Sequence, residues 1–395
     1  MGKPGPHDSE GTVSSGVPVP AAPPVHHWLA NGAEFFCRVL RAIHAARISI
    51  RVEVYIFSDD PVGCRIRDAL IEAAGRGVVV RILLDALGSN ETANGFWDGF
   101  QRAGGELRWF NPLHVRRLPI RNHRKLFVVD DRVGGVGGFN VAEEYSGDGV
   151  HRGWADLGLT LTGPAVAGLA AEFDRMWKSV VHPDRFRSLF RRGTRQAARP
   201  LTADVQLLAM GPGRSPGAFQ TALRRDVGRA RDVLLVVAYF VPTWSMRQML
   251  RDAAVRGARV RIIVPAKSDI ALSRRAARHL YSPLLRKGVE IYEYTPQILH
   301  AKLYLTDASA FVGSSNLDTR SLFINHEIML RLTGTTVVRS AWELGETLCG
   351  RSRQVDPVTW PSSRGWMERL HDALAHWALA RVDPYVSRWL VKEPR

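Results

Sequence analysis

Two short stretches of the chain repeat one pattern of reactive residues: a histidine, a lysine two positions later, and an aspartate five positions beyond the lysine. The two copies are His123, Lys125 and Asp130, and His300, Lys302 and Asp307. An imidazole can serve as a nucleophile or as a general acid or base near neutral pH. An ammonium group donates hydrogen bonds to the non-bridging oxygens of a phosphate. The pattern therefore suits displacement at phosphorus.

Each copy is followed by a glycine-bearing turn and an asparagine, Asn140 or Asn316, whose amide can donate to the same phosphate oxygens. Lysine occurs at only seven positions in the chain, so chance would rarely place two matches in equivalent contexts. Together the two copies would surround one phosphodiester with prearranged donors, which favours in-line displacement. A charged lysine has no lone pair for a metal, and no two histidines have i, i+4 spacing. We therefore expect no metal and no other cofactor.

The elements that must position these motifs are themselves duplicated. A helical pattern at residues 69–74 ends at Arg76-Gly77 and leads to a buried strand at 78–85; the same succession occurs at 249–254, Arg256-Gly257 and 260–265. The two glycines lie about 180 residues apart, and the two motif histidines are separated by nearly the same distance in sequence. Equal separations are expected for two homologous halves.

Each half also opens alike, with an amphipathic helix (35–45 or 219–230) that leads to an apolar strand (48–56 or 233–240). Alternating strands and helices with continuous β-branched runs predict an α/β fold. We expect two homologous halves, each a mostly parallel mixed sheet flanked by helices, in a pseudo-twofold bilobal unit. Residues two apart on a strand face one side, so each histidine and its lysine would project into one cleft.

The rest of the chain is divided by composition. Residues 1–27 are rich in Pro, Gly and Ser without an apolar signal sequence, so we predict a disordered tail. The first domain is placed at 28–180, an arginine-rich linker at 181–201, the second domain at 202–350, and a helical tail at 351–395. Three scattered cysteines favour a reducing compartment, and no apolar run is long enough to span a bilayer.

The formal charge of +16 indicates an anionic partner, without choosing among nucleic acid, anionic lipid and a phosphorylated substrate. Arginines precede both motifs, at 116, 117, 121 and 124 and at 274, 275 and 278; they either contact anionic head groups or form an ordinary solvated face. Trp366, Leu370, Leu374 and Trp377 recur at helical spacing, which fits either an interfacial helix or a helix packed on the core.

The doubled motif with its downstream asparagines resembles the phospholipase D superfamily. The run from Val312 to Glu327, which contains Gly-Ser-Ser-Asn and Asn-His-Glu, resembles bacterial cardiolipin synthases in particular, and Tyr239-Phe240-Val241-Pro242 is similar to the same branch. The likeness covers about Trp28 to Gly334. Within that branch, the chain resembles the shorter, cytoplasmic type that lacks amino-terminal membrane helices.

The resemblance implies a double displacement. His123 would attack phosphorus to form a phosphohistidine, and His300 would act as the acid and base; the pseudo-symmetry leaves the reverse assignment open. Lys125, Lys302, Asn140 and Asn316 would hold the phosphate. A carboxylate after each motif, Asp156 and Glu327, would orient a histidine. Asp130 and Asp307 belong to the catalytic motif but are expected to brace strand turns rather than touch substrate.

The implied function is a cardiolipin synthase-like phosphatidyltransferase that acts on phospholipids, with phosphatidylglycerol as the expected substrate. Its partners would be anionic phospholipid and the membrane surface, with no nucleic acid and no obligate protein partner. The expected location is the cytoplasm, peripheral on the cytoplasmic face of the bacterial inner membrane. A phospholipase D or a nuclease is the alternative enzyme. A nuclease is disfavoured because few aromatic residues lie among the arginines, and a non-catalytic binding module would not need two intact motifs.

Overall fold

In the computed structural model, residues 26–112, 119–181, 198–213 and 215–383 are described. The predicted amino-terminal tail, apart from its last two residues, and most of the predicted linker lie outside these ranges. Residues 26 and 27, assigned to the tail, belong to the first strand. Within the described ranges, no helix is both long and apolar enough to cross a membrane.

The first half is an α/β unit. Its strands are β1 (His26–Leu29), β2 (Ser49–Val54), β3 (Val79–Asp85), β4 (Glu106–Phe110), β5 (Leu126–Val129), β6 (Val133–Gly137) and β7 (Gly158–Thr162). Its helices are α1 (Gly32–Ala45), α2 (Pro61–Gly75), α3 (Asp98–Arg102) and α4 (Ala165–Val181). The strands form one sheet in the order β1-β7-β6-β5-β2-β3-β4.

The second half repeats this plan. Its strands are β8 (Arg199–Pro200), β9 (Val205–Met210), β10 (Asp232–Val237), β11 (Phe240–Val241), β12 (Arg259–Pro265), β13 (Glu290–Tyr294), β14 (Lys302–Thr306), β15 (Ser309–Gly313), β16 (Leu317–Asp318), β17 (Glu327–Leu332) and β18 (Ser352–Gln354). Its helices are α5 (Ala218–Val227), α6 (Trp244–Val255), α7 (Ala271–His279), α8 (Tyr281–Leu285), α9 (Thr319–Phe323), α10 (Thr335–Gly350) and α11 (Trp366–Trp377). The large sheet has the order β18-β13-β12-β10-β14-β15-β17-β9-β8, and β11 pairs with β16.

The repeated α/β plan is as predicted, but the parallel part of each sheet is smaller than expected. In the described part of the two large sheets, the parallel strands are β2, β3 and β4, and their counterparts β10, β12 and β13. The motif strands β5 and β14 are antiparallel to both of their neighbours. A short turn joins each motif strand to the next, and such a turn permits only antiparallel pairing.

Local sequence explains where the elements end. The side chain of Asn31 accepts a hydrogen bond from the backbone of Glu34 and caps α1, and Asp60 caps α2 in the same way. Gly77 and Gly257 adopt left-handed φ angles of 88° and 94° just beyond α2 and α6. Glycine takes this conformation without a steric penalty, so the predicted helix stops occur where the chain turns into β3 and β12.

A single apolar core joins the two halves. It contains residues of both sheets, such as Leu126 and Leu303, together with apolar faces of α4 and α10. Each half has a second core on its outer side, beneath α1 and α2 or beneath α5 and α6. The motif strands β5 and β14 are buried along their whole lengths, so the residues at their beginnings are held between the two halves.

Candidate active site

The two motif histidines are positioned by backbone contacts that cross between the halves. Asn122 forms a parallel β-bridge with His326, and Ala155 forms the equivalent bridge with Leu299. The backbone N–H of His123 donates to the carbonyl of His326 at 3.0 Å, and that of His300 donates to the carbonyl of Ala155 at 2.7 Å. Each bridge therefore places the next residue of one half beside the histidine of the other.

Those next residues are the two predicted carboxylates. Nδ1 of His123 lies 3.0 and 3.1 Å from the carboxylate oxygens of Glu327, and Nδ1 of His300 lies 2.7 Å from Asp156. With its proton on Nδ1, each imidazole donates to the carboxylate and keeps the lone pair on Nε2. The sequence identified both carboxylates, but nothing in it indicated that each serves the histidine of the opposite half.

The two carboxylates are supported differently. The Ser314 hydroxyl donates to Glu327, whereas Asp156 accepts from the backbone N–H of Leu157 at 2.8 Å. Gly138 takes the place of Ser314 in the first half, and a Cβ there would lie 2.1 Å from an Asp156 oxygen. Sequence reasoning gave Ser314 no role; the Gly-Gly and Gly-Ser difference between the two turns was the available signal.

The lysines of both motifs are buried beside their histidines. Nζ of Lys125 donates to the carbonyl of His123 at 2.8 Å. Nζ of Lys302 donates to the carbonyl of His300 and lies 3.0 Å from Nε2 of the same residue. Burial lowers the pKa of Lys125 well below its usual value and that of Lys302 to about 8, so both charges are held at a cost that an anionic ligand would offset.

The pKa values of both imidazoles and of Glu327 are also shifted. Burial, together with the charges of Lys125 and Lys302, lowers the pKa of His123 well below 6.5. Burial and the charge of Lys302 lower the pKa of His300 to about 4. Burial raises the pKa of Glu327 to about 8, against the opposing charge of Lys125. Both histidines are therefore neutral near pH 7, which is the state that a nucleophile requires.

The two asparagines lie in the buried turns after the motif hairpins. Asn140 donates to the Tyr145 hydroxyl at 2.7 Å and accepts from the backbone of Ile56 at 3.2 Å. Asn316 is 2% exposed, and its side-chain oxygen has no partner among the described residues. Asn140 is thus fixed within its own half, with one of its two amide hydrogens still available. Phosphate binding by these amides stays a prediction.

The motif aspartates lie at the far ends of the motif strands. Asp130 accepts hydrogen bonds from the backbone N–H groups of Arg47, Ile48 and Ser49 at 2.7–2.9 Å. Asp307 accepts from the backbone of Arg231 and Asp232. Both carboxylates tie the turn after the motif strand to the start of the neighbouring strand. We therefore assign them to the turns and not to the reacting groups.

The two arginines near the first motif that the structure describes, Arg121 and Arg124, are buried in ion pairs. Arg121 is buried and donates to Asp85 at 3.2 Å, and Arg124 is fully buried, with Glu172 at 3.0 Å and Glu53 at 3.4 Å. Buried charges must be paired, and these pairs fix the strand that carries His123. The expectation that Arg121 and Arg124 could contact head groups is wrong, and residues 116 and 117 lie outside the described residues.

The cluster before the second motif is only partly available. Arg278 pairs with the buried Glu293 at 3.0 Å, whereas the side chain of Arg275 is 47% exposed and lies 3.9 Å from Asp372. The sequence could not distinguish a paired arginine from a solvated one.

Aromatic rings lie beside both histidines. The ring of Tyr55 lies 5.1 Å from that of His123, and the ring of Tyr239 lies 6.3 Å from that of His300. These tyrosines follow β2 and β10, so they occupy corresponding places in the two halves. Trp154 and Tyr145 also lie within 6 Å of His300. Among the described residues, no three His, Cys, Asp or Glu side chains are grouped as a metal site requires.

Comparison with known proteins identifies relatives of the whole arrangement. A family model described as "Cardiolipin synthase, PLD-like domain" matches residues 39–177 and 223–346. Cardiolipin synthase 1 of Bacillus cereus is 34% identical over 313 residues, which are 76% of this chain and 62% of the relative. The major cardiolipin synthase ClsA of Bacillus subtilis is 32% identical over 79% of this chain and 66% of the relative. The chain spans less than two thirds of the length of both relatives.

Two solved structures share the fold at low sequence identity. The phosphatidylserine synthase of Haemophilus influenzae Rd KW20 superimposes with a TM-score of 0.72 at 15% identity, covering 92% of this chain and 94% of that chain. The polyphosphate kinase of Porphyromonas gingivalis gives a TM-score of 0.55 at 13% identity, covering 93% of this chain and 52% of that chain. Both likenesses bear on the fold alone.

Proposed function

The chain belongs to the cardiolipin synthase family of proteins with phospholipase D-like domains, and from this premise we propose that it transfers phosphatidyl groups between phospholipids. The observation that carries the proposal is the pair of histidines, each bonded to a carboxylate of the opposite half, with two buried lysines beside them. This arrangement supplies a nucleophile, an acid–base group and positive charge around one phosphodiester.

In the first half-reaction, Nε2 of His123 attacks the phosphorus of phosphatidylglycerol. The bond from phosphorus to the glycerol oxygen breaks, and His300 gives that oxygen a proton, so that glycerol leaves and a phosphatidyl group remains on His123. In the second, His300 removes the proton from a hydroxyl of another phosphatidylglycerol. That oxygen attacks phosphorus, the bond to His123 breaks, and cardiolipin is released.

Two observations, one of exposure and one of contacts, support His123 as the nucleophile. Its side chain is 13% exposed, whereas that of His300 is 4% exposed. Nε2 of His300 is also in contact with the ammonium of Lys302, whereas the Lys125 ammonium bonds to the backbone carbonyl of His123. A bound anionic phosphodiester would raise the pKa of His300 from about 4 and so favour the protonated form that the leaving group needs.

The proposal extends to the surroundings of the enzyme. Its substrates would be anionic phospholipids at a membrane surface, and we place it on the cytoplasmic face of the bacterial inner membrane as a peripheral protein. No nucleic-acid or obligate protein partner is part of the proposal.

Lipid analysis tests the proposed function directly. The purified chain, in vesicles of phosphatidylglycerol with a metal chelator present, is expected to produce cardiolipin and glycerol, which mass spectrometry of the lipids will detect. Phosphatidic acid in place of cardiolipin would instead make the protein a hydrolase that uses the same first half-reaction. The absence of any lipid product, with cleavage of added DNA, would contradict the proposal.

The pH dependence follows from the shifted groups. We expect kcat/KM for phosphatidylglycerol to fall as the pH rises through about 8, because Lys302, whose pKa is lowered to about 8, loses its positive charge in that range. No loss is expected on lowering the pH from about 7 to about 6, because the pKa of His123 lies well below 6.5. Initial rates in buffers of constant ionic strength measure this, and a kcat/KM that increases up to about pH 9 would contradict it.

A further inference from the structure

The carboxyl-terminal helix α11 exposes a stripe of large apolar side chains. These are Trp366, Met367, Leu370, Leu374 and Trp377, which are 48–73% exposed. Their spacing places them on one side of the helix. On the opposite side Asp372 and Ala375 are 2% exposed. A contiguous exposed apolar surface of this kind marks an interaction site, and we call these five residues the tail face.

The tail face has a fixed orientation because α11 is attached to α7 by polar contacts. The buried carboxylate of Asp372 accepts a hydrogen bond from Arg364 and lies 3.9 Å from Arg275 of α7. The ring of His376 stacks on that of His279 with centroids 4.9 Å apart. These contacts run in parallel register along the two helices, so the amino-terminal ends of α7 and α11 lie side by side.

The same two helices are linked at both of their ends to the surroundings of the motif histidines. Just before α7, Asp269 accepts a hydrogen bond at 2.6 Å from the hydroxyl of Tyr239, whose ring faces His300. Beyond α11, Asp383 accepts from Arg320 at 2.7 Å. Arg320 also donates to the carbonyl of Pro119, four residues before His123. The pair of helices α7 and α11 is therefore linked to the ring beside His300 in the second half and to the segment before His123 in the first half.

The charges around the tail face are complementary to an anionic surface. Arg369 and Arg381 are exposed on α11 and on the turn that follows it, and Arg275 is exposed on α7. Tryptophan prefers the boundary between lipid head groups and acyl chains, and each basic side chain near an anionic leaflet adds attraction. Exposed apolar residues in the first turn of α7 and just before it, Leu272 and Ile270, extend the apolar surface at the amino-terminal end.

We propose that the tail face docks on a bilayer containing anionic lipid and holds the active-site cleft at the membrane surface. The proposal rests on the proposed function, since only a lipid substrate gives the cleft a reason to lie there. It commits to a bilayer, because tryptophans flanked by arginines suit a lipid interface and because the helices that carry the face are linked to the surroundings of both motif histidines.

A charge-insertion variant tests the docking face. In Leu370→Glu/Leu374→Glu, both substitutions lie on the solvent side of α11, so the fold should be retained. The control is Val79→Glu/Val255→Glu, which alters exposed valines at the start of β3 and at the end of α6, away from α7 and α11 in the sequence. Co-sedimentation with vesicles of phosphatidylglycerol and phosphatidylcholine measures binding. We expect at least about a tenfold loss of binding for the tail-face variant and none for the control.

The outcomes separate docking from catalysis. Turnover of dispersed short-chain phosphatidylglycerol, which needs no bilayer, is expected to be equal in wild type and variant; failure of both on this substrate would contradict the proposed function, while vesicle binding would still test the docking face. Unchanged vesicle binding by the variant would overturn the proposal. So would a wild-type dimer, seen by light scattering, that the substitutions separate into monomers, because a second copy would then cover the face.

Discussion

Replacing His123 by alanine will lower the rate of cardiolipin formation by about ten-thousandfold or more, and His300→Ala will do the same. In the proposed mechanism His123 is the group that bonds to phosphorus, so its removal leaves the first half-reaction without a nucleophile. His300 must protonate the leaving oxygen and activate the incoming one. Losses of this size are typical when a nucleophile or its acid–base partner is removed. Timed lipid analysis by mass spectrometry measures both effects.

An activated donor separates the two roles. A phosphatidyl ester of p-nitrophenol needs no acid to release its leaving group, so His300→Ala should release a burst of about one nitrophenol per enzyme and retain a phosphatidyl group on His123. His123→Ala should give no burst. Mass spectrometry of the His123 peptide identifies the adduct. A burst from His123→Ala, with none from His300→Ala, would reverse the assignment of nucleophile and acid–base group.

A matched substitution guards against general damage. His44 lies on the surface of α1, and its side chain is 53% exposed. His44→Ala is expected to retain wild-type activity. Thermal unfolding curves that coincide for all three variants would attribute the losses to chemistry and not to the fold.

The second large effect concerns the crossed carboxylates. Glu327→Gln is expected to behave like His123→Ala, although Glu327 follows the motif of His300, and Asp156→Asn is expected to behave like His300→Ala. An amide can turn its NH2 toward Nδ1, which forces the histidine proton onto Nε2 and removes the lone pair that must react. We expect losses of about ten-thousandfold in cardiolipin formation.

The activated donor makes the crossing visible. With it, Asp156→Asn should retain the nitrophenol burst and accumulate the adduct, whereas Glu327→Gln should lose the burst. Pairing within each half would give the opposite pattern, and that result would contradict the geometry described above. Ser314→Ala removes the hydroxyl that donates to Glu327. It should lower the rate of the nitrophenol burst, but by less than Glu327→Gln does.

Much of the architecture was predictable because it depends on local patterns. Continuous apolar runs marked the central strands, and Gly77 and Gly257 marked the helix ends. The internal repeat identified both motifs at once. The same reasoning placed Asp130 and Asp307 in strand turns, where their carboxylates indeed accept backbone N–H groups. These features need only the period of the chain and the conformational preference of single residues.

The rest depended on contacts that leave no local mark. The crossing of Glu327 and Asp156 follows from two backbone β-bridges between the halves, and backbone hydrogen bonds do not depend on residue type. The buried state of Arg121 and Arg124 depends on Asp85, 36 residues before Arg121, and on Glu172. The sequence alone does not show whether an arginine is solvated or is paired with a buried carboxylate. The extent of antiparallel pairing was missed because apolar runs do not specify strand direction.

The two β-bridges at Asn122 and Ala155 also make each crossed histidine–carboxylate pair depend on the presence of both halves. During synthesis the first half leaves the ribosome with His123 but without Glu327, and its own Asp156 has no histidine to orient. A fragment left by a premature stop or by a protease cut between the halves is in the same condition. Under the proposed mechanism, we therefore expect such incomplete chains to show no phosphatidyl transfer.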